Sequence, residues 1–379
     1  MAEIDKKLDV AATIKTAGAS TVSDVVNRTT LAAGAISLDT AIGDNFYGIN
    51  HRQTPGAVPI NKDSHGLTFF TRPEFNLSTV NIRAIRQLIP LLTSDEASVQ
   101  RVIRCLLDPR LQREGTPCQF VDANLPFISV LTNNLLSMSG WPDVEVDTFT
   151  SSPGIYKEAW FIVDSLAQNL STYDITATFR NIDGDPITLL FFIWAHYSSL
   201  VYQGLMIPYP EKIIRNEIDY LTRIYRLVLD KNKRYVQKIG ATGISAPMNS
   251  PMGASFNFDA STPLNQSNNQ ISINFRCAGA LYQDDILVWA FNQTVAKYNS
   301  YMADKNFSTK RVSQATATLP AVYQTTHTTY KQIPYEALDL FNNRGYPRIE
   351  PETYELQWWV PPDLYKERYG IYLEQAGKS

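Results

Sequence analysis

Residues 172–206 read TYDITATFRNIDGDPITLLFFIWAHYSSLVYQGLM, and this stretch decides the fold class. Its first part, 174–180, alternates between apolar and polar residues, as expected for a strand with one buried face. An acidic turn and an almost wholly apolar run follow. The run predicts a helix starting at Pro186, because Asp185 can cap it and proline fits the first helical position. A strand followed by a core helix favours an α+β fold.

The acidic turn and the apolar run also allow two other interpretations. Asn181, Asp183 and Asp185 occupy positions one, three and five of a calcium loop, but the twelfth position is Phe192, where a bidentate Glu is required. The apolar run ITLLFFIWA is much too short to span a bilayer, which needs about 20 residues. We therefore expect neither a metal site nor a membrane span.

Composition argues for a protein that lives in contact with other subunits. Hydrophobic residues make up 44% of the 379 residues and charged residues only 19%, whereas soluble proteins average about 25% charged. A surface poor in charge and rich in Tyr and Asn suits permanent interfaces. The formal net charge of −3 argues against stable binding to nucleic acid phosphates.

The first residues of the chain and its cysteines indicate the cellular compartment in which it folds. The first residues, MAEIDKKLDVAATIK, lack the apolar segment of a secretory signal. We therefore expect folding in a reducing cytoplasm, with Cys105, Cys118 and Cys277 as buried free thiols. A Cys105–Cys118 bridge stays open as an alternative.

Changes in composition and periodicity divide the chain into four regions. Residues 1–65 hold few large apolar side chains and predict an N-terminal arm. Residues 66–139 show helical periodicity, and residues 140–305 change to the period of two that strands require. Residues 306–379 are rich in Pro, Tyr and Trp and predict an extended C-terminal arm that lies on a partner or on the domain.

Local signals place the individual elements. A helix is predicted from Thr79 to about Ile89, capped by Ser78 and stopped by Pro90. Thr93 and Glu96 are predicted to form a capping box at the start of the next helix. A helix carrying one apolar stripe should start at Asp284-Asp285. The predicted strands are 144–150, 174–180, 224–230, 234–241 and 271–282, and the third and fourth form a hairpin.

The chain shows none of the sequence patterns typical of enzymes. It has no nucleophile elbow, no zinc motif and no phosphate-binding glycine loop. Glu145 and Asp147 share a strand face, as do many solvated pairs. His196 lies on the most apolar helix and is expected to be a hydrogen-bonded core or interface residue. We therefore predict no enzyme, no catalytic residue and no cofactor. The basic cluster at 223–238 remains open as an interface, an edge-protecting or a nucleic-acid surface.

An ordered series of short phrases runs through residues 172–282. They are Thr178-Phe179-Arg180, the aromatic helix residues Phe191, Phe192 and Trp194, the turn Tyr209-Pro210, the hairpin turn Leu229 to Asn232, the loop from Gly240-Ala241 to Met252-Gly253, and the strand residues Ile273, Phe275 and Tyr282. In this order the stretch resembles the tail tube family of tailed bacteriophages, including the tube initiators of contractile-tail baseplates. Phrases such as FFTRPEFNL and LTNNLLSMSGWPD are similar to virion proteins of large contractile-tailed phages.

The resemblance implies a tail-tube-like antiparallel β-barrel or sandwich packed by the helix 186–204, with extended N- and C-terminal arms. It implies a homo-oligomeric ring of six copies in the virion tail, made in the host cytoplasm. Genomic double-stranded DNA would pass transiently through a polar or acidic lumen without stable binding. The partners would be other tail, baseplate or neck proteins, with no membrane.

The resemblance leaves the position in the tail open. Tail tube subunits are usually shorter, which favours a tube initiator or adaptor ring at the baseplate. A neck or head–tail connector, a repeating tube subunit and a phage enzyme such as a cell-wall hydrolase are the alternatives. The expected barrel core is Ile175, Phe179, Phe192, Trp194, Ile273 and Phe275. The expected subunit or ring interface is Arg226, Lys233, Tyr235, Trp358, Trp359 and Tyr365.

Overall fold

The structure is a computed structural model that describes residues 65–111, 118–165, 169–230, 232–256, 261, 269–312 and 322–368. The predicted arm 1–65 therefore lies outside the described residues, apart from its last position. The chain forms two compact units. We call Thr68–Arg226 with Gly240–Asp284 the sheet unit, and we call the remainder the C-terminal unit.

The structure has strands at the five predicted positions, but it also has strands that were not predicted, among them those before residue 140 and after residue 305. In chain order the strands are β1 His65–Phe70, β2 Leu135–Ser139, β3 Thr148–Thr150, β4 Phe161–Val163, β5 Asn169–Arg180, β6 Ile224–Leu229, β7 Val236–Pro247, β8 Gln270–Tyr282, β9 Phe307–Val312, β10 Val322–His327, β11 Lys331–Ile333, β12 Tyr346–Ile349 and β13 Leu356–Val360. The main sheet has the order β1-β6-β7-β8-β5-β2. It is a curled antiparallel half-barrel, and the mixture of helices and strands is compatible with the predicted α+β fold.

The β5–β8 pair shows why the alternation in the sequence was informative. Ile175 lies opposite Phe275, and Ala177 lies opposite Ile273, in an antiparallel register. These four side chains are completely buried, whereas the intervening positions of both strands are mostly exposed. One face of this pair therefore belongs to the core, and the other is polar.

Helices of the sheet unit cover the apolar face of the main sheet, and the C-terminal unit has helices of its own. They are α1 Thr79–Arg83, α2 Val99–Leu107, α3 Ser129–Asn134, α4 Pro186–Tyr202 and α5 Pro210–Ile214 in the sheet unit, and α6 Asp285–Tyr298 in the C-terminal unit, where 362–368 forms α7. Helix α4 starts at Pro186 as predicted and ends at Tyr202, two residues before the predicted end. Among the described residues, no helix combines the length and hydropathy needed to cross a membrane.

The aromatic residues of α4 join the helices to the sheet. The Phe191 ring lies 5.7 Å from that of Phe275, and Tyr197 stacks on Phe75 at 4.2 Å. The indole Nε1 of Trp194 donates a hydrogen bond to the carbonyl of Tyr220 at 2.9 Å. The helices of 66–139 share this core with the strands of 140–284.

The predicted helix caps differ in detail from those in the structure. Asp185 has a left-handed φ of 50°, and its Oδ1 accepts a hydrogen bond from the Thr188 hydroxyl at 2.6 Å instead of from a backbone amide. The Thr93 hydroxyl accepts from the amide of Asp95, so the expected capping box does not form, and α2 starts only after Ser98.

Two predicted elements differ in length. The helix expected from Thr79 to Ile89 ends at Arg83, and a 3-10 helix, Arg86–Leu92, follows and includes Pro90. Extended backbone at Ile85 separates the two and buries that side chain, which outweighs local helix propensity. The strand expected over 144–150 is reduced to β3, which pairs only with β4.

The C-terminal unit has more regular structure than the expected extended arm over 306–379. Strands β11, β13 and β12 form a sheet, and β9 pairs with β10. The Asn292 side chain of α6 holds β12 through both the amide and the carbonyl of Ile349. The sequence pattern was weak because these strands are short, and all four residues of β12 are buried.

Candidate assembly surfaces

The outer side of the β5–β8 pair forms a continuous polar surface, which we call the polar face. It consists of Thr172, Asp174, Thr176, Thr178 and Arg180 of β5 with Gln270, Ser272, Asn274 and Arg276 of β8. Cross-strand bonds tie it together: Arg276 to Asp174 at 2.7 Å, Thr176 to Asn274 at 3.0 Å, and Thr178 to Ser272 at 3.2 Å. Hydroxyl and amide groups dominate, and the ion pair neutralises two of the three charges.

Within the described residues, the main sheet ends in two edges that are unpaired over most of their length. Strands β1 and β2 are its outermost members, and no named strand pairs with the outer edge of either. At the C-terminal end of β1, an isolated bridge between Thr71 and Phe127 covers the edge, and the Phe70 carbonyl accepts from the Ile128 amide at 2.9 Å. The β2–β5 register is irregular between Leu135 and Ser137, as is common for a bulged edge strand. Unpaired edges present amide and carbonyl groups to which another chain can add a strand.

Residues 143–165 form a second surface, which we call the apolar hairpin. Strand β4 is exposed at all three positions, and the loop residues Ile155 and Tyr156 are 95% and 91% exposed. Trp160 and Phe149 contact each other, with ring centroids 6.0 Å apart, but both remain about half exposed. A concentration of exposed apolar side chains of this kind marks an interaction site.

A third surface lies around the C-terminal end of α4, and we call it the apolar–basic face. Its exposed apolar members are Val80, Tyr202, Leu205, Ile207, Ile213, Ile214 and Ile218. The Asn81 side chain joins α1 to this segment, because it bonds to both the amide and the carbonyl of Ile207. The exposed arginines Arg83, Arg86 and Arg215 belong to the same segments.

Five of the six predicted barrel-core residues are buried in the sheet unit. They are Ile175, Phe179, Trp194, Ile273 and Phe275. Phe192 is only partly buried and stacks on His196, with centroids 5.6 Å apart. The Nε2 atom of His196 is buried without a hydrogen-bond partner among the described residues, so the expected hydrogen bond at this atom is absent.

The predicted interface residues of the hairpin contact their own units. In the sheet unit, Arg226 donates a hydrogen bond to the Thr68 hydroxyl at 2.7 Å. In the C-terminal unit, the Lys233 ammonium lies 5.0 Å from the centroid of the Tyr335 ring. Tyr235 is half-buried there and forms a β-bridge with Glu355. The role of these three residues between subunits stays a prediction.

The predicted aromatic interface residues lie inside the C-terminal unit. Trp359 is buried against Phe307, with ring centroids 5.2 Å apart. Trp358 is partly buried near Tyr335, and Tyr365 stacks on Phe341 at 5.8 Å. These tryptophans avoid water within their own chain, and their contact with a partner also stays a prediction.

A buried carboxyl group links three segments of the sheet unit. The side chain of Asp108 is completely buried and accepts hydrogen bonds from the Leu77 amide and the Tyr209 hydroxyl, both at 2.8 Å, and from the Arg110 amide at 3.1 Å. Burial raises the pKa of Asp108 to about 6, although these hydrogen bonds oppose the shift. The bonds give this carboxyl a structural role between helices.

His, Cys, Asp and Glu side chains can bind metal ions or carry out acid–base chemistry, and the described part of the chain contains all four types. There, no group of three or more His, Cys, Asp or Glu side chains is arranged to hold a metal ion. Glu145 and Asp147 lie on the exposed apolar hairpin. Cys105, Cys118 and Cys277 are buried and form no disulfide, so the Cys105–Cys118 bridge is absent from this structure.

Comparison with known proteins gives the family. The family described as "Putative phage tail tube protein" matches residues 5–377, which is nearly the whole chain. No curated protein matches the sequence. The family is a structural one and is not a known enzyme family. The chain therefore belongs to this phage tail tube family, and it is a structural protein of a phage tail and a component of the virion.

Proposed function

We propose that copies of this chain associate through the open edges of the main sheet into a ring of six, whose sheets close a common barrel. The observation that carries the proposal is a curled half-barrel with two open edges in a chain of the tail tube family. Pairing β1 of one copy with β2 of the next satisfies the edge amides and carbonyls of both strands. Closure also removes the edges on which unwanted strands could add.

The polar face is proposed to line the lumen of this barrel, where double-stranded DNA passes transiently. DNA adheres to proteins mainly through phosphate contacts with Lys and Arg. On the polar face, Arg276 is already paired with Asp174, and Arg180 is the other basic residue. A surface of hydroxyl and amide groups with little net charge allows DNA to slide without being held.

We further propose that this ring is the repeating ring of the tail tube itself, so that the chain is a tube subunit. The length of the chain favours a specialised baseplate ring, because tail tube subunits are usually shorter and this chain carries long terminal regions in addition. The family match from residue 5 to 377 weakens that argument, since the terminal regions belong to the family. A tube initiator at the baseplate remains the second candidate, on the resemblance of residues 172–282 to such proteins.

The edge contact can be tested with one charged substitution and a matched control. Leu136 on β2 is 52% exposed, so Leu136→Lys should leave the fold intact but place a charge at the edge contact. Ile286→Lys makes the same change at a position that is 55% exposed in the C-terminal unit. Electron microscopy and analytical ultracentrifugation should show rings or tubes for wild type and Ile286→Lys, and monomers for Leu136→Lys. Wild-type protein that stays monomeric at all concentrations would refute the proposal.

A further inference from the structure

We propose that the apolar hairpin of one copy docks on the apolar–basic face of a second copy. This inference rests on the proposed function, because it names a second contact in the same assembly. Both surfaces belong to the sheet unit, and both are exposed in the single chain. They therefore do not cover each other within one copy.

The apolar hairpin needs a partner on physical grounds. A two-stranded ribbon is at best marginally stable in water unless it packs on something else. Phe161 and Val163 point to one side of β4 and Ile162 to the other, and all three are more than half exposed. Covering either side removes large apolar groups from water, which stabilises by about 25 cal/mol per Å² of apolar surface.

The two surfaces have complementary charge. Residues 143–165 carry the five carboxylates Asp143, Glu145, Asp147, Glu158 and Asp164 against the single basic residue Lys157. The segments of the apolar–basic face carry three exposed arginines. Two of its acidic residues are already paired, since Glu211 bonds to Arg110 at 2.9 Å and Glu217 to Lys212 at 2.6 Å. An acidic apolar ribbon therefore meets a basic apolar face.

The geometry of such a contact fits a tube. The hairpin and the face are different surfaces of the same chain, so their contact is heterologous and each copy uses both. Heterologous contacts produce closed rings or open helical filaments and do not stop at a dimer. A second contact of this type, besides the paired sheet edges, gives each copy further neighbours.

A charge swap tests the contact. In the hairpin variant, Asp143→Lys, Glu145→Lys and Asp147→Lys change the formal net charge of residues 143–165 from −4 to +2. In the face variant, Arg83→Glu and Arg86→Glu leave Arg215 as the one remaining of the three exposed arginines and so reverse the sign of the face. Each variant alone should raise the critical concentration for assembly at least tenfold. An equimolar mixture should restore assembly with alternating copies, because each docking pair between the two variants is again of opposite sign. Glu352→Lys changes an exposed acidic residue of the C-terminal unit and serves as the control.

A covalent readout keeps the test independent of folding defects. Chains carrying Phe161→Cys, mixed with chains carrying Ile214→Cys, should form disulfide-linked dimers on mild oxidation, while either variant alone should form few. The three native cysteines are buried and should not compete. Tubes that persist in both charge variants, or mixed cysteine variants that do not crosslink, would overturn the docking and leave the ring standing. Wild-type protein that never assembles would overturn both.

Discussion

The central strand of the main sheet allows a quantitative test of its two faces. Phe275 is completely buried in β8 and lies opposite Ile175, and its ring centroid is 5.8 Å from that of Phe70. Phe275→Ala removes the transfer free energy of the ring, about 1.5–3 kcal/mol. A residual cavity adds about 1–2 kcal/mol if about 50–80 Å³ stays open, at about 24 cal/mol per Å³. The total is therefore about 3–5 kcal/mol.

Ser272 lies on the polar face of β8, three residues before Phe275, and serves as the comparison position. Ser272→Ala loses one exposed bond to Thr178, so its cost should stay within about 0.5 kcal/mol. Because about 2–4 °C accompanies each kcal/mol in a unit of this size, Phe275→Ala should lower the unfolding midpoint by about 6–20 °C. Thermal unfolding followed by tryptophan fluorescence measures both. Equal shifts for the two variants would refute the assignment of core and polar faces.

Three further outcomes are expected. The pKa of Asp108 is raised to about 6 in the folded chain. Protonation of Asp108 therefore contributes about 2–3 kcal/mol to the free energy of unfolding, and this contribution is present below pH 4 and lost as the pH rises through 6. Asp108→Asn should remove this pH dependence from the free energy of unfolding measured between pH 4 and 7. The buried Arg72 side chain donates to four carbonyls, two of them in buried and two in partly buried hydrogen bonds. Arg72→Met should therefore cost more than about 3 kcal/mol in urea unfolding, against at most about 1 kcal/mol for the exposed Arg276→Met. Burial raises the pKa of Cys105 and Cys277, so thiol labelling of the native protein should be slow and should become fast on unfolding.

The long elements of the sheet unit could be predicted because one physical pattern dominates each. In β5 and β8 the apolar residues alternate strictly, and burial follows that alternation from Ile271 to Cys277. In α4 the apolar run lacks the alternation of a half-buried strand, and Pro186 marks the start of the helix. These signals need no knowledge of neighbouring segments.

The predictions for the helical region, 66–139, were wrong where tertiary contacts compete with local helix preference. Pro90 lies inside a 3-10 helix and does not end an α-helix. The Thr93 and Asp95 side chains accept hydrogen bonds from nearby amides in a turn, and α2 starts only at Val99. Short polar side chains commonly compete with helix caps in this way, and the sequence alone does not decide between the two outcomes.

The polar face was foreseen as the side of β5 opposite to Ile175 and Phe179, but the apolar hairpin was missed. The alternation over 144–150 predicts a strand, and in the structure all of these positions are exposed. The run Trp160 to Val163 is a usable signal, because all four residues are apolar and a strand formed by them has no polar face to expose to water. A short strand of that kind needs cover on both faces.

A reconstruction of the assembled tail by electron cryomicroscopy tests the central claim most directly. The account predicts a closed ring in which β1 of each copy pairs with β2 of its neighbour, and in which Thr176, Ser272 and Asn274 face an open lumen. A ring whose copies meet through other surfaces, or a lumen lined by other residues while the β5–β8 polar face is turned outward, would contradict it.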